Sequence, residues 1–131
     1  MKILIFGVTG MLGSSLYKYF SYISEIKVTG VLRDINKKYL LKDNLNSNII
    51  AFDNYNNFAK LEEFINNVQP DYVINCLGVI KQKMNKTKPE TIIFLNSYLP
   101  QLIDKLSEKL NFKLIHFSTD CVFDGKIGLY K

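Results

Sequence analysis

KILIFGVTGMLGSSLYKYF, residues 2–20, is the stretch on which the fold turns. Lys2–Phe6 is a short, almost wholly apolar run, the composition of a strand covered on both faces. It passes directly into Gly7, Gly10 and Gly13, and a helical apolar pattern follows over residues 11–22. The first glycine permits a tight turn, the second lets another group approach the backbone, and the third lets the helix pack close to the strand. A helix opening at this point offers unpaired N–H groups and a partial positive charge to an anion. Strand before, helix after and the start of a βαβ unit are the context in which such a triplet reads as a dinucleotide-binding loop. Outside that context it would be a glycine-rich turn.

Four further apolar runs lie outward from this unit, at residues 26–32, 48–52, 72–77 and 113–117. Between them come helical patterns at Phe58–Val68 and, longer, at residues 90–110. In the longer one Ile92, Leu95, Leu99, Leu102 and Leu106 recur at steps of three and four and so form one stripe. The polar, lysine- and asparagine-rich residues 36–47 read as a surface connection with about one helical turn. Short strands alternating with helices predict an α/β, Rossmann-type, doubly wound parallel sheet, truncated after about the fifth strand. The whole chain, 1–131, reads as one NAD(P)-binding domain, the N-terminal portion of a longer architecture. Pro100 interrupts the long helix. Proline has no N–H, so the carbonyl of Asn96 loses its helical partner, and the chain must kink or re-use that carbonyl.

Composition bounds the alternatives. Of 131 residues 47% are hydrophobic and 22% charged, an ordinary globular balance. The net charge of +5 comes from lysines scattered over the chain apart from Lys81, Lys83, Lys86 and Lys88. Scattered lysine argues against a nucleic-acid partner, and the cluster reads either as a solvated loop or as an attraction for a diphosphate-linked ligand. Two cysteines, Cys76 and Cys121, sit in apolar stretches with no metal-site spacing. The N-terminus enters a strand with no cleavage site, and no apolar span reaches membrane length, so a cytoplasmic protein without a membrane partner is expected.

The second run ends at Leu32, and Arg33 and Asp34 follow. Asp34 stands at the interval where an acid holds the adenosine ribose hydroxyls, while Arg33 suits a 2′-phosphate. Both charges are present, so NAD and NADP both stay open, as does a pair of merely solvated charges. His116, the only histidine, reads as a packed or half-exposed strand residue. Cys76 reads as a small core hydrophobe. Ser118 and Thr119 follow the fifth run, at the carboxyl end where ligands bind in such sheets.

Three segments together resemble the extended short-chain dehydrogenases/reductases, and specifically the dTDP-4-dehydrorhamnose reductase family of nucleotide-sugar enzymes. They are GVTGMLG at 7–13, NCLGVIKQ at 75–82 and HFSTDCVFDG at 116–125. The last is the most specific. It departs from the family at Cys121, where tyrosine is usual, which suggests a relative acting on a related sugar nucleotide, such as one used in capsule or O-antigen synthesis. The resemblance implies that Gly7, Thr9, Gly10, Met11, Leu12 and Gly13 form the pyrophosphate loop and that Asp53 contacts the adenine. It implies that Cys76, Leu77 and Gly78 line the nicotinamide-side ribose. Thr119 would orient the substrate carbonyl, with Asp120 beside it. Asn96 matches a helical asparagine whose freed carbonyl holds a water in a proton relay, which agrees with the consequence of Pro100.

The family's chemistry needs a tyrosine as general acid and a lysine four residues later to lower its pKa. None of Tyr17, Tyr19, Tyr22, Tyr39, Tyr55, Tyr72 or Tyr98 has lysine at that spacing, and Tyr130 has one residue after it. Three expectations follow: a portion of a longer reductase, a non-catalytic NAD(P)-binding or regulatory module, or a chain that assembles with a separate half. A methionine adenosyltransferase regulatory subunit shows that relatives of this fold include non-catalytic modules. The first expectation makes the isolated chain inactive. An uncovered fifth strand would also favour a homo-oligomer.

Overall fold

The computed structural model describes residues 1–41 and 48–118. Five strands, β1 (Lys2–Phe6), β2 (Lys27–Leu32), β3 (Ile49–Ala51), β4 (Tyr72–Asn75) and β5 (Lys113–His116), form one parallel sheet in the order β3-β2-β1-β4-β5. That order reverses direction between β1 and β4, which makes their carboxyl ends a topological switch point. The fold is the expected Rossmann-type doubly wound sheet.

The two faces of β1 are buried under different helices. Ile3 and Ile5 pack with Val8, Val28, Leu32 and Ile74 on the side of α1 (Met11–Ser21), which contributes Tyr17. Leu4 and Phe6 pack with Val31 and Val73 against Leu61 and Ile65 of α2 (Phe58–Val68) and against the long helix that follows β4. Burial on both sides explains why these strands carry almost no polar residues. The α1 face also depends on Gly30. A Cβ there would come 2.6 Å from Ile49 Cδ1 and 3.0 Å from the Tyr17 ring, so the missing side chain is what lets Tyr17 lie flat on β2.

Helix α2 has the bounds its sequence pattern predicts because both ends are chemically marked. Asn57 caps it by accepting from the Lys60 N–H at 3.1 Å, and Gln69 ends it in the left-handed region at φ 48°, just before Pro70. The polar connection after β2 holds a 3-10 turn at Ile35–Leu40 in place of a full helix; residues 42–47 lie outside the described residues.

The segment read as one long helix is built in three parts. After a short helix α3 (Lys81–Met84), α4 (Pro89–Ile93) runs into a π-helical turn at Phe94–Tyr98 and then α5 (Leu99–Leu110). The Leu99 N–H bonds the Phe94 carbonyl, five residues back. Proline at position 100 cannot donate to Asn96 and its ring crowds that carbonyl, and a widened turn relieves both. The extra residue also shifts the stripe. Leu95, Leu99 and Leu106 are buried as expected, but Ile103 is fully buried where Leu102 is only partly so.

On β5 only Leu114 packs into the core below α5. Ile115, on the other face beside the buried Ile74, is 41% exposed. Among the described residues no helix is long and apolar enough to cross a membrane.

Candidate functional site

The site lies at the carboxyl ends of β1, β2, β3 and β4. After Phe6 the chain turns at Gly7, φ +82°, a conformation that a side chain would strain. An added Cβ there would also press on the Cys76 carbonyl at 3.0 Å and on Leu77 Cδ2 at 3.1 Å. Gly7 therefore lets the β1 exit and the β4 exit touch. Gly13, in the first turn of α1, would drive a Cβ into the Gly7 carbonyl oxygen, so its lack of a side chain seats the helix on the loop.

Gly10 differs from both. It is the N-cap of α1 at φ −81°, where any residue is comfortable, and an added Cβ would meet only the Gly7 carbonyl oxygen, at 3.3 Å. The protein itself has little need for glycine here. The N-cap provides no side-chain hydrogen bond to the helix, and Met11 is 90% exposed beside it. The first N–H groups of α1 face out of the fold, the arrangement that accommodates an anion.

Pairing of β2 with β3 sets Leu32 against Ala51, and the Phe52 N–H donates to the Leu32 carbonyl at 2.9 Å. The residues just beyond line an open cleft of about 540 Å³, formed by Arg33, Asp34, Ile35, Ala51, Phe52 and Asp53. The three charged residues singled out from sequence thus share one recess. Its floor was not evident from the sequence: Phe52 stacks on Phe64 at 4.4 Å and meets Tyr55 edge-on at 5.0 Å. Tyr55 is buried, which raises the pKa of its hydroxyl, so it is protonated at neutral pH. Asp34 Oδ1 accepts from the Asn36 N–H at 3.0 Å, and Asp53 Oδ1 accepts from Asn54 Nδ2 at 2.7 Å.

The β4 exit is held by two asparagines that composition alone does not single out. Asn75 is fully buried. Its Oδ1 accepts from the Leu77 N–H at 3.1 Å, so its Nδ2 is the atom that faces His116 Nδ1, 3.3 Å away on the neighbouring strand. An amide nitrogen only donates, which makes Nδ1 the accepting nitrogen of His116. Asn96, in the π-helical turn, reaches across to the loop. Its Oδ1 accepts from the Val79 N–H at 2.7 Å and its Nδ2 donates to the Val79 carbonyl at 2.9 Å. Sequence directed attention to the Asn96 carbonyl; the structure shows its side chain bracing Gly78 and Val79.

Cys76 packs against the α1-side core, and burial pushes its thiol up to about 11, so it is a neutral thiol at physiological pH. That is the behaviour of a small packed residue. Thr9, Met11 and Leu12 lie in the α1 entry as expected. Thr119, Asp120 and Cys121 lie outside the described residues, which end at Ser118, two past β5.

The RmlD substrate binding domain family matches residues 1–131, the full chain. The chain belongs to that family. Among curated relatives it is 25% identical to a dTDP-4-dehydrorhamnose reductase of Salmonella typhimurium over 95% of its own length. It spans 37% of that relative. Among solved structures it resembles a hypothetical dTDP-4-dehydrorhamnose reductase from Sulfolobus tokodaii, with a TM-score of 0.74 and 27% identity, covering 100% of this chain and 44% of that one. It also shares its fold with the Bordetella bronchiseptica enzyme WbmH, solved in complex with NAD+, at a TM-score of 0.65 and 21% identity, over 84% of this chain and 36% of that one. All these likenesses cover nearly the whole of this domain and little more than a third to under half of the relative.

Proposed function

We propose that residues 1–131 are the NAD(P)-binding domain of a reductase acting on a nucleotide-linked 4-keto sugar, and that the isolated chain does not turn over. The observation that carries the reading is Gly10: a glycine with little internal need, at a helix N-terminus on the switch point, leaves space that a pyrophosphate fills. The names of the curated relatives and the NAD+ bound to WbmH support the same reading.

The main chain of Gly7 to Gly13, with Thr9, Met11 and Leu12, holds the pyrophosphate. Arg33, Asp34 and Asp53 hold the adenosine end, and Cys76, Leu77 and Gly78 line the other ribose, kept in place by Asn96 through Val79. The bound nicotinamide supplies hydride to the sugar carbonyl. Thr119 orients that carbonyl, with Asp120 at the sugar, and the Asn96 carbonyl holds the relay water. Protonation of the developing alkoxide requires an acid, and no tyrosine of this sequence has its lysine four residues on. General acid catalysis contributes about 10²–10⁴-fold, and orientation of the sugar more again. The activity therefore belongs to a longer protein.

Calorimetric titration with NADH and NADPH tests the binding claim, with Gly10→Thr as the variant. Threonine caps a helix about as well as glycine, but its branched side chain fills the space in front of the loop. Loss of binding in a variant that still folds is expected; a wild-type chain that binds neither cofactor at millimolar concentration removes the claim. Incubation with NADPH and a dTDP- or UDP-linked 4-keto sugar tests the rest. Turnover that survives purification and vanishes in Thr119→Ala overturns the inactive-chain reading. The lack of the acid and its lysine also favours a second reading, a non-catalytic nucleotide-binding module, distinguished by whether the gene's reading frame continues into a Tyr-x-x-x-Lys segment.

A further inference from the structure

The cleft between the β2 and β3 exits differs from a plain ribose pocket in how its charges are engaged. We infer that it selects a dinucleotide bearing a phosphate on the adenosine 2′-hydroxyl, with Arg33 as the residue that receives it. The inference rests on the dinucleotide reading above and deepens it.

An acid that reads an unmodified ribose has to present its carboxylate to two neighbouring hydroxyls. Asp34 is the acid at that position, but its Oδ1 is committed to the Asn36 N–H at 3.0 Å, where it caps the 3-10 turn Ile35–Leu40. Its position in sequence is accounted for by local structure. Arg33, one residue earlier, lines the same cleft, is exposed, and makes no ion pair with any described residue. A guanidinium that is neither paired internally nor buried is free to form two parallel hydrogen bonds to a phosphate. The turn that follows adds Lys37 and Lys38. On the opposite wall the Asp53 carboxylate has one oxygen tied to Asn54 at 2.7 Å, which tempers its repulsion of a second anion.

The phosphate's contribution can be isolated with the adenosine half of the cofactor alone. Titrating the full chain with 2′,5′-ADP and with 5′-AMP should give tighter binding of the doubly phosphorylated probe by about 10- to 100-fold, the range of a hydrogen bond to a charged group. NADPH should outrank NADH by a similar factor, and the gap should narrow as salt rises, since Arg33 is exposed. Arg33→Ala should bring 2′,5′-ADP down to the level of 5′-AMP and leave 5′-AMP and NADH where they were, while Arg33→Lys keeps part of the preference. The inference is overturned if the wild-type chain binds NADH at least as tightly as NADPH. It is equally overturned if Arg33→Ala, with an unchanged melting curve, weakens both probes alike. Binding of 5′-AMP and NADH under those outcomes leaves the dinucleotide reading standing. A chain that binds none of the four probes removes that reading and this inference together.

Discussion

Replacing Gly13 by alanine puts a methyl group against the Gly7 carbonyl, with the carbonyl carbon 2.8 Å and the Val8 Cα 3.1 Å from the new Cβ. Every one of those neighbours is main chain, so no change of rotamer relieves the contact, and either α1 or the loop has to shift. Overpacking of this kind costs about 1–3 kcal/mol or more. Alanine returns at most about 1 kcal/mol of helix propensity, and less in a first turn. A net loss of about 2 kcal/mol is expected, which for a chain of this size lowers Tm by roughly 6–10 °C. Gly10→Thr is the matched control. Its Cβ meets only one oxygen, at 3.3 Å, and threonine is an equivalent N-cap, so its Tm should stay within about 2 °C of wild type. Far-ultraviolet circular dichroism melts and NADPH calorimetry on the same two proteins separate the roles. The first variant should lose stability, and the second should lose at least about tenfold in affinity while melting normally. A Gly13→Ala protein that melts with wild type would refute the close approach of helix and loop. A Gly10→Thr protein that binds undiminished would refute the position assigned to the pyrophosphate.

Asn96→Leu removes both hydrogen bonds to Val79 and should cost about 1–3 kcal/mol, the penalty for leaving partly buried main-chain groups unpaired. Faster amide exchange at Val79 than in Asn96→Asp, which keeps an acceptor for its N–H, is the signature; equal exchange in the two would refute the brace. In a Cys121→Ser background, Cys76 should alkylate slowly at pH 8, because a thiol moved from 9.0 to about 11 carries roughly a hundredfold less thiolate. Folding favours the protonated thiol, so its contribution to stability is present below pH 9.0 and declines as pH rises toward about 11. Rapid labelling of the folded chain at neutral pH would contradict the packed role. Arg33→Ala, as argued above, should abolish the preference for a 2′-phosphate, and the unmodified chain should give no turnover with a 4-keto sugar nucleotide.

The elements that were legible from the sequence are those fixed by local pattern. Strands buried on both faces are apolar throughout, and α2 carries its own stop signals in Asn57 and Pro70, so both could be bounded from the sequence. The glycine loop is legible for the same reason, since each glycine acts on neighbours within a few residues. What escaped depends on contacts between distant segments. Residues 33–34 and 52–53 meet only because β2 and β3 pair side by side, and the aromatic floor of their cleft draws Phe64 from α2. Asn75 and Asn96 look like ordinary polar residues until β5 and the loop after β4 are in place. The stripe in residues 90–110 hid the π-helical turn, because steps of three and four tolerate one extra residue until Ile103 is found where Leu102 was expected. Thr119 and Asp120, the residues nearest the chemistry by resemblance, lie outside the described residues and stand on resemblance alone.

The π-helical turn has a bearing on which insertions and deletions this chain can accept. One residue more than an α-helix needs is held at Phe94–Tyr98, so deleting a residue just after Asn96 would let the hydrogen bonds close into regular α-helix. By backbone criteria alone the shorter chain is the better helix. Each α-helical residue turns the axis by about 100°, however, so removing one rotates everything before it by that angle relative to α5. With α5 anchored in the core by Leu99, Ile103 and Leu106, the residue that would swing is Asn96, away from Val79. Regularising the helix would therefore unclamp the loop at Gly78. The irregular turn acts as a phase offset, and its length is set by the loop it has to reach rather than by the helix it interrupts.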